Sequence, residues 1–326
     1  MYLALDKNMT KPLIDDIITT MESKGFMIHA IVCDLGNPTL LKQLKFHKTK
    51  KNKKRWFYFV HPLDPSRRVY IFADVPHMLK LLRNHFLDDG FKVPASDGKK
   101  IIDGPLVTFT KEDIEPLIES KKEIKMLFKL RRFHLDVKQS ERQRVRPAAE
   151  LFSNSVACAI MYGKSPQDPD YDDCLAKSYA IKLVNDWFDV MNSKNFDYRN
   201  RLKTPFGQHE DILRDQMDVL NRMDDFLNKL EVMSSAPQKW IDGIQNSIKS
   251  TKMLYKDLVV GVDSPGPFKY IFTARLNQDC LENLFSKIRA MGGPNDHPGP
   301  VRFMKRMRMM LLGKKKVYLD NFIIID

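Results

Sequence analysis

Apolar residues in the first hundred positions alternate between two rhythms. Residues 2–5 form a short apolar run, and residues 27–33 (Met-Ile-His-Ala-Ile-Val-Cys) form a nearly continuous one. A run of that length without polar alternation predicts a central strand buried on both faces. Between them, Thr10 stands at a cap position with Pro12 in the first helical turn. Leu13, Ile17, Ile18 and Met21 then define the expected buried side of that helix. Residues 38–46 look helical, and residues 56–60 and 69–73 look like further strands. Asp74-Val-Pro-His77 opens a helix with Leu79, Leu82 and Phe86 inward. Strand, helix, strand, helix, strand predicts an α/β sheet with crossover connections. Asp34 falls at the carboxyl end of the 27–33 run, where open sheets place their ligands. Ending that strand or capping the next helix is its plainer use. Asp74 also ends a strand, but it precedes Pro76, so a capping role suits it better.

From Thr110-Lys-Glu-Asp113, which carries a capping signal, the pattern becomes helical. Ile114, Leu117, Leu127 and Leu130 are the apolar anchors of its first part. Residues 143–161, 171–192, 209–230 and 236–250 predict four more helices, separated by Pro, Gly, Asp and Ser. After the turn at residues 262–267 the chain enters one more amphipathic helix, Arg275-Leu-Asn-Gln-Asp-Cys-Leu-Glu282-Asn-Leu-Phe-Ser-Lys-Ile-Arg289. Leu281, Leu284, Phe285 and Ile288 give it a core-facing stripe, Asn277 a cap, and Gly292-Gly293 a stop. Asp279 and Glu282 share a second face and reach one point in space, as a divalent-metal site requires. A solvated helix face is the plainer use of the same pair. The α/β half is thus split by a block of helices, an insertion of the kind compact domains tolerate.

Composition narrows the partners. Lys plus Arg number 54 against 41 Asp plus Glu, a formal charge of +13 that suits a polyanion. The cations cluster at residues 45–55 and again at Arg302, Lys305, Arg306, Arg308 and residues 314–316. Either cluster suits phosphate contact, and the first also resembles a nuclear import signal. The four cysteines, at positions 33, 158, 174 and 280, have no Cys-x-x-Cys spacing. Cys33 and Cys280 lie inside apolar elements, so reduced core residues are expected rather than a zinc site or disulfide framework. No apolar stretch approaches membrane-spanning length and the amino terminus does not read as a signal peptide. A soluble intracellular chain is the expectation.

Five blocks, in order, carry a resemblance. They are Cys33-Asp-Leu-Gly-Asn37, Phe72-Ala-Asp-Val-Pro-His-Met-Leu-Lys-Leu-Leu-Arg-Asn-His85, Leu151-Phe-Ser-Asn154, Asn185-Asp-Trp-Phe-Asp-Val-Met-Asn-Ser193 and Leu276-Asn-Gln-Asp-Cys-Leu-Glu-Asn-Leu-Phe285. Together they resemble the P-element-type DNA transposases, a family that includes the transposase-like THAP-domain proteins of animals. The resemblance implies an α/β, incomplete RNase H-like domain in residues 1–100 and 251–326. An all-helical GTP-binding insertion, residues 101–250, interrupts it. It implies Asp34 and Glu282 as catalytic carboxylates, with Asp279 beside Glu282, holding Mg2+ for phosphoryl transfer at DNA ends. It implies Lys129, Val145, Asp189 and Asn192 as GTP-pocket residues, with Asp189 accepting from the guanine N1–H and N2–H edge. The chain has no P-loop and no Asn-Lys-x-Asp motif, the comparable stretch being Ser120-Lys-Lys-Glu123, so GTP rests on the resemblance.

One departure qualifies this. The family's first catalytic aspartate lies on a strand that has no counterpart here, and the zinc finger and dimerising helix are absent. The expectation is therefore a transposase fragment without autonomous transposition, bound to transposon-end DNA and GTP in the nucleus. The alternative is a transposon-derived GTP- and DNA-binding protein without strand cleavage. A regulatory GTPase would need a positioned water or arginine finger, and none is evident. A homo-oligomer stays open.

Overall fold

The computed structural model describes residues 9–47, 56–119, 127, 129–138, 141–197, 199–261, 264–292 and 298–312. The expected strand at residues 2–5 and most of the basic run at residues 45–55 lie outside them. Two compact units divide the chain: residues 4–277, and residues 278–326 with 1–3.

The larger unit is organised around β3 (Arg68–Ala73), whose residues from Val69 onward are all buried. β1 (Ala30–Cys33) pairs with β3 in parallel, from Ala30 opposite Tyr70 to Cys33 opposite Ala73. β2 (Tyr58–Val60) pairs antiparallel on the other side, giving the order β1-β3-β2. The expectation that residues 27–33 form the central, doubly buried strand is therefore corrected. The strand is shorter, and β1 is half-buried along its length because β3 is its one partner among the described residues. A continuous apolar run signals burial without saying which strand takes the centre.

α1 (Lys11–Glu22) begins at Thr10, whose backbone is extended but whose side chain makes no capping bond. Its buried face is Ile14 and Ile18. Leu13, Ile17 and Met21, expected inside, are between 37% and 46% exposed, because the apolar stripe is wider than the surface that covers it. The far end of α1 is clamped by Glu22, which accepts from both Arg67 guanidinium nitrogens at 2.9 Å and lies 3.0 Å from the buried His61 ring. Arg67 holds the Glu22 carboxyl down at about 2. α2 (Pro38–Gln43) is capped by Asn37. α3 (Val75–Asp88) is capped by Asp74, which accepts from the His77 N–H at 3.0 Å, and Leu79, Leu82 and Phe86 are buried as expected.

The middle of the chain is mainly helical, and a small antiparallel sheet packs with it. Its strands are β4 (Phe91–Val93), β5 (Val107–Phe109) and β6 (Glu231–Val232), in the order β5-β4-β6. After α4 (Glu115–Glu119), the single helix expected at residues 143–161 is two, α5 (Val145–Leu151) and α6 (Asn154–Met161). The break comes where Phe152 leaves helical geometry (ψ 48°) and Ser153 becomes extended (ψ 154°). α7 (Tyr171–Met191) is followed by α8 (Glu210–Lys229) and α9 (Lys239–Tyr255).

α9 joins the insertion to the first sheet through a face of small residues. The Ala73 N–H donates to Ser247 Oγ at 2.9 Å, and Ser250 Oγ donates to the Ile71 carbonyl at 2.7 Å. Asn246 Nδ2 reaches the Phe46 carbonyl at 2.7 Å. Gly243 completes the face: a Cβ there would stand 2.8 Å from Met78 Sδ, 3.0 Å from Leu35 Cδ1 and 3.2 Å from Ala73 Cβ.

In the smaller unit, α10 (Asp279–Ala290) starts from Gln278 rather than from an Asn277 cap, and α11 (Pro300–Leu312) follows. Within α10, Ile288 is buried, but Leu281 and Phe285 are exposed and Leu284 is half-buried. The expected core stripe is thus largely uncovered, its main contact within the unit being an edge-to-face pair of Phe285 with Phe303 at 5.7 Å. Cys280 is exposed, contrary to the core role expected for it, and all four cysteines are free thiols.

Gly243→Ala gains about 1 kcal/mol of helix propensity, yet overpacking against β3 is expected to leave a net loss of about 1 to 3 kcal/mol. Chemical denaturation reads this directly. An unchanged or raised midpoint contradicts the close-approach role.

Candidate functional site

α7 places Asp189 at a depth where a carboxylate is costly. The residue is 8% exposed, with the fully buried Trp187 and Val190 two and one positions away in the same helix. Burial pushes its pKa above the usual carboxylate value, and Lys203 and Asn200 oppose that shift. Lys203 Nζ lies 3.4 Å from Oδ1, Asn200 Nδ2 donates to Oδ2 at 2.9 Å, and Asn185 Nδ2 donates to Oδ2 at 3.4 Å.

Asp189, Lys203 and Asn185 edge a cavity of ≈ 370 Å³, and Asn200 holds Asp189 from behind it. Its polar side holds Asp189, Asn192, Asn185, Asn195, Lys194 and Lys203; its apolar side is built from Leu79, Ala149, Phe152, Val184 and Phe188. Asn192 Oδ1 already accepts from Asn277 Nδ2 at 3.1 Å, so its amide N–H2 is what it offers a ligand. A wall of aromatic and aliphatic carbon facing an edge of amides, a carboxylate and cations suits a flat ligand with a hydrogen-bonding rim and an anionic tail.

Of the residues expected at this pocket, Asp189 and Asn192 line the same cavity. Lys129 is exposed, and Val145 opens α5, half-buried against the core; neither lines the cavity, to which α5 contributes Ala149. Lys194, Asn195, Asn200 and Lys203 went unread because they lie between α7 and α8, where no periodicity marks them. Asn185 also went unread, although it lies four residues before Asp189 and so on the same helical face, a spacing that could have found it.

The carboxylates expected at the sheet edge are placed as follows. Asp34 is exposed just after β1 and accepts the Gly36 N–H at 2.8 Å. Leu35 between them adopts a left-handed φ of 67°, rare for a residue with a side chain. The Asp74 N–H donates to the Cys33 carbonyl at 2.8 Å, so both acids stand at the carboxyl edge of β1 and β3. Asp74 is buried and spent on capping α3, whereas Asp34 stays accessible. Asp279 and Glu282 lie in the first turn of α10, in the other unit, Asp279 half-buried and Glu282 exposed. Among the described residues no three His, Cys, Asp or Glu side chains form a metal-holding group. Arg302, Lys305, Arg306 and Arg308 lie on α11 with no acid in that helix; residues 314–316 fall outside the described residues.

Comparison with known proteins agrees with this architecture. Residues 76–205 match the family model "TNP-like, GTP-binding insertion domain", and residues 275–308 match "TNP-like, RNase H C-terminal domain". The chain is 32% identical over 318 residues to "Transposable element P transposase" of Drosophila melanogaster, covering 96% of this chain and 39% of that protein. It is 24% identical over 252 residues to human "DNA transposase THAP9", covering 76% of this chain and 26% of that one. Among solved structures it resembles the "Drosophila P element transposase strand transfer complex" with a TM-score of 0.76 and 30% identity, over 94% of this chain and 65% of that one. The chain thus spans less than half the length of either protein relative.

Fold and site together define an RNase H-like α/β protein interrupted by a GTP-binding insertion domain. The chain belongs to the P-element transposase-like family. No helix among the described residues is long and apolar enough to cross a membrane.

Removing the Lys203 charge with Lys203→Met strips Asp189 of a group that favours its ionised form. The Asp189 pKa is expected to rise further, read as a higher midpoint in a carboxyl ¹³C NMR titration. A fall, or no movement, contradicts the pairing.

Proposed function

We propose that the α7 cavity binds GTP, with Asp189 as the acceptor for the guanine N1–H and N2–H edge. The observation that carries this reading is a buried carboxylate edged by amides inside an apolar-walled cavity. The cavity lies in the region similar to the GTP-binding insertion model, and Asn192 is a further guanine-edge contact. Burial favours the reading physically. An acceptor withdrawn from water discriminates strongly, because adenine, lacking those donors, leaves it unpaired. Lys194 and Lys203 are the cations of the pocket nearest to hand for phosphates. Lys129 and Val145 belong to the same proposal through the resemblance of their segments.

Around this pocket we infer part of a P-element-type transposase that acts on DNA. Asp34, Asp279 and Glu282 are the proposed carboxylates, and their hard oxygen donors suit Mg2+. When bound, the metal would supply Lewis-acid stabilisation of the phosphoryl group under attack. Asp34 is held for this role by the Gly36 N–H, which fixes one oxygen and leaves the rest of the carboxylate accessible. The net charge of +13 and the acid-free basic helix α11 support a DNA partner held through its phosphates. The nucleus is the proposed location, because that is where such a DNA partner lies. The return of α9 to β3 supports an insertion that ends near residue 250, between two segments of one RNase H-like domain.

Asp189→Ala is expected to weaken GTP binding about a hundredfold, the worth of two hydrogen bonds to a carboxylate. The chain should stay folded, since a buried acid is exchanged for a small apolar group. Isothermal titration with circular dichroism measures both. Wild-type GTP affinity in a folded variant removes the assignment.

A further inference from the structure

A second cavity, ≈ 330 Å³, opens on the opposite side of α7, between that helix, α8 and the turn at Gly98-Lys99. Lys99, Lys182 and Arg222 line it, with Asp186, Asp218 and Tyr179. Each acid is already committed: Asp186 to Lys182 Nζ at 2.5 Å, and Asp218 to Arg222 Nε at 2.7 Å. Arg222 Nη1 donates to the Lys99 carbonyl at 3.3 Å, which ties the turn to α8. The acceptors of the cavity are therefore spoken for, while donors remain.

Those donors are specific. The Lys99 ammonium is exposed at the rim, and Lys182 keeps N–H groups beyond the one given to Asp186. The Tyr179 hydroxyl is the most telling: it is buried inside the cavity, Arg222 is the donor beside it, and its own O–H has no acceptor among the described residues. A buried O–H without an acceptor costs free energy that a ligand's acceptor recovers. Three cations against two acids leave the lining net positive, and the nearby Asp97 accepts the Lys99 and Lys100 backbone N–H groups. Gly98 turns the chain at the cavity with a left-handed φ of 83°, which favours glycine there.

We propose that this cavity is an oxyanion site that takes a phosphate group on Lys99, Lys182, Arg222 and the Tyr179 hydroxyl. A ligand here must be rich in acceptors and negatively charged, and a tetrahedral phosphate is both. Its source is either the backbone of bound DNA or a free phosphate. The site is separate from the guanine pocket, and its test does not depend on GTP.

The experiment titrates the full chain with inorganic phosphate at constant ionic strength, following the ¹³Cζ resonance of Tyr179 and the heat of binding. Saturable one-site binding that moves Tyr179 is expected, weakened about fivefold or more by Lys99→Ala and by Arg222→Met. Lys99 is exposed, so its variant keeps the test valid if Arg222→Met does not fold. Displacement of phosphate by a short DNA duplex supports the DNA backbone as the source; retention supports a free phosphate. Absence of saturable binding, or affinity indifferent to Lys99→Ala, overturns the proposal.

Discussion

The close approach of α9 to β3 is the constraint on which the rest depends. A helix normally keeps its distance from a sheet because side chains fill the space between them. Here Gly243, Ser247 and Ser250 leave nothing to fill, and the serine hydroxyls bond directly to the β3 backbone. The contact does two things at once. It anchors the return from the insertion on the sheet, and it seats Leu35, whose left-handed turn carries Asp34. A helical glycine is unfavourable by about 1 kcal/mol, so its presence at the tightest point of the contact fits a packing role.

The second organising feature is α7, which is buried deeply enough that its polar residues need partners from elsewhere. Asn185 is instructive: its amide donates to Asp186 at 3.3 Å and to Asp189 at 3.4 Å. Those two acids serve different cavities, so one side chain stands between them. Burial makes Asp189 a poor anion in isolation, and Lys203 and Asn200 make it a usable one. That balance gives a guanine-edge acceptor its selectivity, because an acceptor kept from water discriminates sharply between ligands that pair with it and those that do not.

Much of the fold was legible where apolar spacing was long and regular. α3, α7, α8 and α9 all fall close to their expected positions, because a buried helix of many turns leaves little doubt about period. Short elements were less so. Leu13, Ile17 and Met21 belong to the same broad stripe as Ile14 and Ile18, and spacing alone does not say which half the core covers. β1 reads as a central strand because its residues are apolar, yet rank within a sheet is a tertiary property. Phe152 and Ser153 split a helix that no Gly or Pro announces. Of the cavity lining, Asp189 and Asn192 are residues that the resemblance names, while Asn185, four residues before Asp189, was not read. Lys203 reaches the cavity, and Asn200 reaches Asp189, by the path of a connecting segment, which no local pattern encodes.

The central claim is that Asp189 reads the guanine edge, and changing the edge it reads tests it most directly. Asp189→Asn replaces an acceptor-only carboxylate with an amide that both donates and accepts, the complement of xanthine's N1–H and O2. The account predicts that this variant loses GTP affinity by about tenfold or more and gains affinity for xanthosine triphosphate. Retention of GTP preference by the folded variant would contradict it.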